Sequence, residues 1–124
     1  MKNPQRVFAF HSFGIRLTAA QAVSRPTTCD IAWAAGFYEG EGTCAYATRS
    51  EHAVVNQVER EPLDRLRRFF GGSIYAVKAH HRSKASFRWA AHGPRARGFL
   101  MTIYALLSAK RKAQIKKVLN AAQE

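Results

Sequence analysis

Residues 31–42 read I-A-W-A-A-G-F-Y-E-G-E-G: eight apolar or small residues, followed by two acids that alternate with glycine. Thr27 or Thr28 can cap a helix at the start of this run, and Asp30 suits its first turn because an acid there complements the helix dipole. Glu41 lies at the opposite end, where the same dipole opposes a negative charge. The run therefore predicts a helix that ends at an acid whose position needs a functional reason.

Four small residues recur at helical spacing and form one stripe along this helix: Ala32, Ala35, Gly36 and Gly40. Each interior glycine costs about 1 kcal/mol of helix stability relative to alanine. A stripe without large side chains lets another backbone come very close. We therefore expect it to be a surface on which a second helix packs.

The segment 34–42, A-A-G-F-Y-E-G-E-G, resembles the sequence motif of the LAGLIDADG homing endonucleases. In that family two such helices pack together through small residues, and the last acid of each motif binds the catalytic divalent metal. The resemblance assigns Ala35, Gly36 and Gly40 to the small-residue positions and Glu41 to the acid. The alternative is a buried helix rich in alanine and glycine, so the rest of the chain has to decide.

The chain has 124 residues, enough for one modest hydrophobic core but too few for two ordinary domains. Hydrophobic residues make up 47%, which predicts a folded chain and not a disordered tail. Twenty Lys and Arg residues against eight acids give a formal charge of +12, which favours a polyanionic partner, most commonly nucleic acid. A basic structural protein would carry the same charge, so the charge indicates a class of partner and not an enzyme.

Residues 1–29 contain four Lys or Arg residues and no acid, and we interpret them as a basic arm preceding one domain at 30–124. An organelle transit peptide is the alternative, although serine is scarce for one. No run approaches the length of a transmembrane helix. Cys29 and Cys44 stand apart and favour reduced thiols. We therefore expect an intracellular protein of the cytoplasm or an organelle matrix, without a membrane partner.

Hydrophobic patterning and turn residues predict the remaining elements. Their order is helix, two strands, helix, two strands, two helices, which is the layout of one LAGLIDADG domain. We expect an α+β fold, αββαββαα, whose four-stranded antiparallel sheet forms a DNA-binding saddle. The predicted elements are strands at 43–48 and 53–59 around a turn at 49–52, a helix from Glu61 ended by Gly71 and Gly72, strands at 73–79 and 84–91 around a bend at 80–83, and helices at 93–107 and from Ser108 to 121.

Three further segments resemble the family in the right order. The segment 57–63, Q-V-E-R-E-P-L, is similar to the glutamine-bearing strand end that leads into the family's second helix. The segment 69–75, F-F-G-G-S-I-Y, is similar to its helix-to-strand turn, and 107–115, L-S-A-K-R-K-A-Q-I, resembles the closing segment in which a lysine enters the active-site pocket. With the first motif, the resemblance covers about residues 30–119.

Hydrolysis of a phosphodiester by this family uses a divalent ion, and Mg²⁺ prefers oxygen ligands. By resemblance Glu41 supplies a carboxylate ligand and the carbonyl of Gly40 a second oxygen, while Gln57 and Lys110 position water and stabilise charge. One carboxylate per chain is too few for a complete site, so a single motif implies a homodimer that brings two Glu41 side chains together. The alternatives are an ordinary exposed acid and, for Lys110, a solvated charge in a basic run. We expect Glu39 to be a helix-end acid and not a ligand.

Basic residues on the fourth predicted strand form a candidate surface for double-stranded DNA. At strand period they share one face, while Phe87 and Trp89 face the core. A two-stranded ribbon fits the major groove, where Arg and Lys read guanine or hold phosphates; a solvated strand face is the alternative. The predicted DNA contacts are Arg82 in the bend before this strand, Lys84, Ser86 and Arg88 on it, and Arg111 and Lys112 on the last helix.

The first predicted hairpin is short, because only sixteen positions separate Glu41 from Gln57, fewer than the resemblance implies. We expect Ala53, Val55 and Glu59 to share its outward face with Gln57, which offers little chemistry for reading bases. The first hairpin is therefore expected to contribute little sequence recognition.

Two functions of different classes follow from these expectations. The first is a homodimeric, metal-dependent homing endonuclease that makes a staggered double-strand cut and spreads its own intron or mobile element. The second is a non-cutting binder on the same fold, such as a splicing maturase on intron RNA or a DNA-binding regulator. The joint presence of Glu41, Gln57 and Lys110 favours cutting, whereas the short hairpin favours lost or altered recognition. A basic structural protein would leave the glycine-spaced acids unexplained.

Overall fold

A computed structural model describes residues 21–22 and 24–123, which form an α+β fold of a four-stranded antiparallel sheet and four α-helices. This confirms the fold class predicted from the sequence. Most of the predicted N-terminal arm lies outside the described residues. None of the described helices is long and apolar enough to cross a membrane. The elements are α1 (Thr28–Glu41), β1 (Gly42–Ala47), β2 (Ser50–Gln57), α2 (Glu61–Phe70), β3 (Ser73–Val77), β4 (Ser86–His92), α3 (Gly93–Ile103), a 3-10 turn (Tyr104–Leu106) and α4 (Ala109–Ala121).

The start and the end of α1 are fixed by local chemistry. Thr27 and Asp30 form a reciprocal capping box, in which each side chain accepts a hydrogen bond from the backbone N–H of the other residue. At the other end the chain passes directly into β1 at Gly42, whose N–H donates to the carbonyl of Tyr38. A Cβ at Gly42 would overlap the Tyr38 ring, so only glycine lets the chain leave the helix here.

The sheet has the strand order β1-β2-β4-β3, with every neighbouring pair antiparallel. Two hairpins thus lie side by side, and β2 and β4 form the centre. The turn between β1 and β2 consists of Thr48 and Arg49, both with positive φ (50° and 64°), and is shorter than the predicted turn at 49–52. Two left-handed residues match the twist of the flanking strands, which is why so short a turn can join them.

The fourth strand begins at Ser86, two residues later than predicted. Arg82 therefore lies in the bend between β3 and β4, and so does Lys84, whose prediction as the first residue of the strand is wrong. A backbone bridge pairs His80 with Ser83 within this bend and separates it from the sheet ladder. Only Ser86 and Arg88 of the predicted stripe share one face of β4.

The two faces of β2 are the reverse of those predicted. Ala53 and Val55 are fully buried in the core, so they face the helices. His52, Val54 and Asn56 alternate with them and face away from the helices. Ala53 and Val55 face inward because helix α3 packs on β2 and the burial of these side chains fixes the register.

The hydrophobic core is centred on Phe99 of α3. Its ring makes edge-on contacts with Tyr38, Phe70 and Trp89 at centroid distances of 5.9, 4.9 and 4.9 Å. The buried indole N–H of Trp89 donates to the carbonyl of Gly71 (2.8 Å), which satisfies a helix-end carbonyl. The helices thus cover one face of the sheet and leave the other face open.

Candidate active site

Glu41 is the last residue of α1, and its side chain is exposed. Within the described part of the chain, its carboxylate has no hydrogen-bond or ion-pair partner. The carbonyl of Gly40 belongs to the same final turn, where the partial negative charge of the helix is concentrated. An unpaired acid at this end is unfavourable without a cation, so the arrangement favours a positively charged ligand.

Helix α4 begins against the end of α1. The backbone N–H and the hydroxyl of Ser108 both donate to the Glu39 carboxylate, each at 2.8 Å, and Arg111 Nε donates to the Glu39 carbonyl at 3.1 Å. The hydrogen bonds from Ser108, with smaller contributions from Arg111 and Lys110, lower the pKa of Glu39. Glu39 is therefore a structural link between two helices, and Lys110 lies near the end of α1.

Gln57 ends β2 beside the junction of α1 and β1. Gly42 pairs with Val55 in the sheet, so the last residues of β2 run alongside the last residues of α1. The Gln57 side chain is half-buried, and its Oε1 accepts a hydrogen bond from the Val58 N–H at 3.1 Å. The three predicted catalytic residues, Glu41, Gln57 and Lys110, thus lie at one end of the molecule, and their roles stay predictions.

The donor atoms available at this end fit a hard divalent cation. Glu41 supplies a carboxylate and Gly40 a backbone carbonyl, and oxygen is the ligand type that Mg²⁺ and Ca²⁺ prefer. Among the described residues there is no group of three or more His, Cys, Asp or Glu side chains able to hold a metal. Residues 24–123 of one chain therefore offer only part of a coordination shell at Glu41 and Gly40, which bound phosphate or a second chain could complete.

The outward side of α1 carries three residues spaced by four: Ala32, Gly36 and Gly40, which we call the small-residue stripe. All three are exposed, and a Cβ added at either glycine would meet nothing within 4 Å. Ala35, also predicted to belong to the contact surface, is only 2% exposed because it packs in the core of its own chain. The packing of the described residues does not require glycine at Gly36 or Gly40.

The open face of the sheet is polar at its centre. Arg88 on β4 and Asn56 on β2 are direct cross-strand partners, and Arg88 Nε donates to Asn56 Oδ1 at 2.8 Å. Arg82 and Lys84 are exposed in the bend beyond this face. Four of the six predicted DNA contacts therefore lie on β4 or in the bend before it: Arg82, Lys84, Ser86 and Arg88.

The two predicted contacts on α4 are placed differently. Arg111 holds the end of α1 and also donates to Gln114 Oε1 at 3.1 Å, so much of its hydrogen-bonding capacity is used within the chain. Lys112 lies over the ring of Tyr104, with Nζ 5.7 Å from the centroid. Contacts of either residue with DNA stay predictions.

Sequence reasoning missed three polar residues on the open face: Asn56, His52 and His92. The two histidines are cross-strand partners whose Nδ1 atoms are 2.8 Å apart. His52 Nε2 lies 3.0 Å from the carbonyl of Ala47, which can only accept, so Nε2 carries the proton and His52 Nδ1 accepts from His92. Burial, His52 and Arg95 together lower the pKa of His92. His52 and Asn56 alternate with Ala53 and Val55 along β2. Assigning Ala53 and Val55 to the core would therefore have placed these two polar residues on the open face.

The fold is similar to that of the homing endonuclease I-CvuI. In a structure bound to its target in the presence of Ca²⁺, the alignment covers 77% of this chain and 66% of that chain, at 18% identity and a TM-score of 0.58. A structure with the I-CreI target in the presence of Mg²⁺, whose DNA is not cleaved, gives the same identity and coverages and a TM-score of 0.56. No protein-family model and no curated protein matches the sequence. The chain thus has the LAGLIDADG fold and spans 66% of the length of I-CvuI.

Proposed function

We propose that this chain, with its LAGLIDADG fold, is the protomer of a homodimeric DNA endonuclease that depends on a divalent metal and makes a staggered double-strand cut at a specific site. One observation carries the proposal. The exposed Glu41 carboxylate ends the same helix whose outward side is the exposed small-residue stripe. The similarity to I-CvuI, whose structures contain DNA targets, supports this assignment.

The dimer forms where two copies of α1 pack through Ala32, Gly36 and Gly40. Helices that lack large side chains along one side can bring their backbones into close contact. The two helices pack in parallel about a two-fold axis that runs along them, which places both Glu41 side chains near that axis. The dimer in this way supplies two carboxylates to the site, where one chain supplies only one.

Each residue of the site has a distinct role in hydrolysis. A bound divalent ion would neutralise charge on the scissile phosphate and activate water. Glu41, with the carbonyl of Gly40, would hold that ion. Lys110 stabilises negative charge that develops on the phosphate, and Gln57 orients the attacking water through its amide.

DNA lies along the open face of the sheet. Arg88 and Ser86 meet the groove, while Arg82 and Lys84 in the bend and Lys112 on α4 contact phosphates. The formal charge of +12 adds a long-range attraction that weakens as salt rises. Such a duplex binder needs no closed pocket, because its substrate is a long surface and not a small molecule.

The test is cleavage of a randomised duplex library with Mg²⁺ by the wild-type protein and by Glu41→Gln. A matched control is Glu59→Gln, which removes an exposed acid from the loop after β2. We expect the wild type and the control to cut and Glu41→Gln to bind without cutting. Cutting by Glu41→Gln at the wild-type rate would refute the role of Glu41.

A non-cutting binder remains the second candidate, supported by the short β1–β2 hairpin, whose strands of six and eight residues limit how far it can extend along a duplex. It would be a maturase on intron RNA or a DNA-binding regulator. If the wild type and Glu41→Gln bind nucleic acid equally and neither cuts, this candidate replaces the endonuclease. Binding to structured RNA in preference to duplex DNA would then indicate the maturase.

A further inference from the structure

Arg88 and Asn56 form a polar pair at the centre of the open face. They face each other across β4 and β2, and Arg88 Nε donates to Asn56 Oδ1 at 2.8 Å. On the other side of Arg88, its partner in β3 is Tyr75. The arginine is thus flanked on both neighbouring strands by side chains that point the same way.

The hydrogen bond uses one edge of the guanidinium and leaves another edge available. A guanidinium has five N–H donors in a rigid plane, and Asn56 takes the one on Nε. The two terminal nitrogens keep a parallel pair of donors. Because the Asn56 amide oxygen accepts from Nε, the arginine is held in one orientation before any ligand arrives, which reduces the entropy lost on binding.

The neighbours of Arg88 on its own strand are short on this face. Ser86 precedes it and Ala90 follows it at strand period, and Ala90 is almost fully covered. Arg88 is therefore the longest side chain on the open face of β4. Its terminal nitrogens are the donors on this strand best able to reach a ligand that lies along the sheet.

We propose that Arg88, positioned by Asn56, reads a guanine in each half of the DNA target. Two parallel donors match the O6 and N7 acceptors that guanine presents in the major groove, and no other base presents two acceptors on that edge. The inference rests on the proposed function in that its ligand is duplex DNA, but it does not depend on cutting. The proposal names guanine as the base that Arg88 contacts and Asn56 as the residue that positions Arg88.

The experiment selects sites from a randomised duplex library by binding in the presence of Ca²⁺. The wild type is compared with Arg88→Lys, which keeps the charge but not the paired donors. It is also compared with Asn56→Leu, which removes the acceptor at similar size, and with Asn56→Asp, which retains an oxygen acceptor. Arg68→Lys is the matched control, because it changes an exposed arginine of α2 that is not among the proposed DNA contacts.

We expect the wild-type sites to contain one guanine in each half that other bases replace only with a loss of about 10- to 100-fold in affinity. Arg88→Lys should lose this preference and Asn56→Leu should weaken it, while Asn56→Asp and Arg68→Lys should retain it. An unchanged preference in Arg88→Lys or Asn56→Leu would overturn the inference, as would wild-type sites without such a guanine or no binding to duplex DNA.

These outcomes are separable from those of the proposed function. Sites that are bound and cut but carry no invariant guanine would refute the role of Arg88 and leave the endonuclease intact. Sites with the guanine that are never cut would support the role of Arg88 and refute the endonuclease. Because Asn56→Leu alters base preference at one position, its effect differs from a general loss of folding, which would lower affinity for all sequences equally.

Discussion

The two sides of α1 are both built of small residues, for different reasons. On the inward side Ala34 and Ala35 are at most 2% exposed and pack with Tyr38 in the core. On the outward side Gly36 and Gly40 are exposed, and added methyl groups would meet nothing. Close packing within the chain explains the first set and leaves the second set unexplained.

Packing within the chain explains the small residues on the inward side of α1 but not those on its outward side. Exposed glycines inside a helix destabilise it without a compensating contact. Their cost is offset only if another surface comes to lie on them. The outward side therefore indicates an interface with another surface, whereas the inward side belongs to the hydrophobic core. Substitutions on the inward side should change folding stability, and those on the outward side should change assembly.

The largest effect is expected on the inward side, from Tyr38→Ala. Tyr38 is 1% exposed and contacts Phe99, so its truncation should lower the free energy of unfolding by about 3–5 kcal/mol. Tyr38→Phe is the control. The hydroxyl is buried without a strong hydrogen-bond partner in the described part of the chain, near the weakly polar thiol of Cys44, so its removal should be neutral or slightly stabilising. Urea unfolding measures both, and a large loss in Tyr38→Phe would contradict this packing.

A smaller effect on folding and a large one on assembly are expected from Gly36→Leu. A leucine on the open side should leave the protomer folded but raise the dimer dissociation constant at least about 100-fold, or about 2.7 kcal/mol. Gly98→Leu places the same side chain at an open glycine of α3 and should leave assembly unchanged. Sedimentation measures the dimer, and a wild type that stays monomeric, with or without DNA, would refute the proposed interface.

Alanine at Gly36 and at Gly98 separates the effect on folding from the effect on assembly. Under conditions in which the chain is monomeric, Gly36→Ala and Gly98→Ala should each stabilise the fold by up to about 1 kcal/mol, because alanine is the better helix former. Only Gly36→Ala should weaken the dimer as well. Equal effects of the two variants on assembly, measured by sedimentation, would remove the distinction between the sides of α1.

The smallest effect concerns pH. Burial lowers the pKa of His92 in the folded chain, so between that value and the ordinary pKa near 6.5 the unfolded chain binds more protons. Folding stability should therefore decrease as pH falls below about 6.5. The small-residue stripe contains no titratable group and therefore adds no pH dependence to dimerisation. His92→Gln should flatten the stability profile measured by urea unfolding between pH 7 and 5.5, whereas the exposed His81→Gln should retain it.

Much of the fold could be predicted from local signals. The Thr27 cap, Pro62 at the start of α2 and the Ser108 cap of α4 all lie where the sequence indicated. These features depend on a few neighbouring residues, so a single sequence suffices. The Thr48–Arg49 turn could not be predicted, because neither residue is one of the types that favour a left-handed backbone.

The face of β2 was predicted wrongly because it depends on distant partners. Val54 and Val55 are adjacent and equally apolar, so alternation alone does not say which faces the core. Glu51 adds to the ambiguity: an acid looks exposed, yet it is 3% exposed and paired with Arg97 at 2.7 Å, forty-six residues away. The catalytic site also depends on a distant partner, because its second carboxylate would come from another chain. Neighbouring residues in the sequence therefore do not define it.

We propose that Glu41 is required for DNA cleavage but not for DNA binding. The most direct measurement loads the wild type and Glu41→Gln on a selected duplex in Ca²⁺, records affinity, and then exchanges the ion for Mg²⁺ to follow single-turnover cleavage. We expect affinities within a few-fold of each other and a cleavage rate at least about 1,000-fold lower in Glu41→Gln, as for loss of an essential group stabilising the transition state. A wild type that leaves its bound duplex intact, or a variant that cuts equally fast, would contradict the claim.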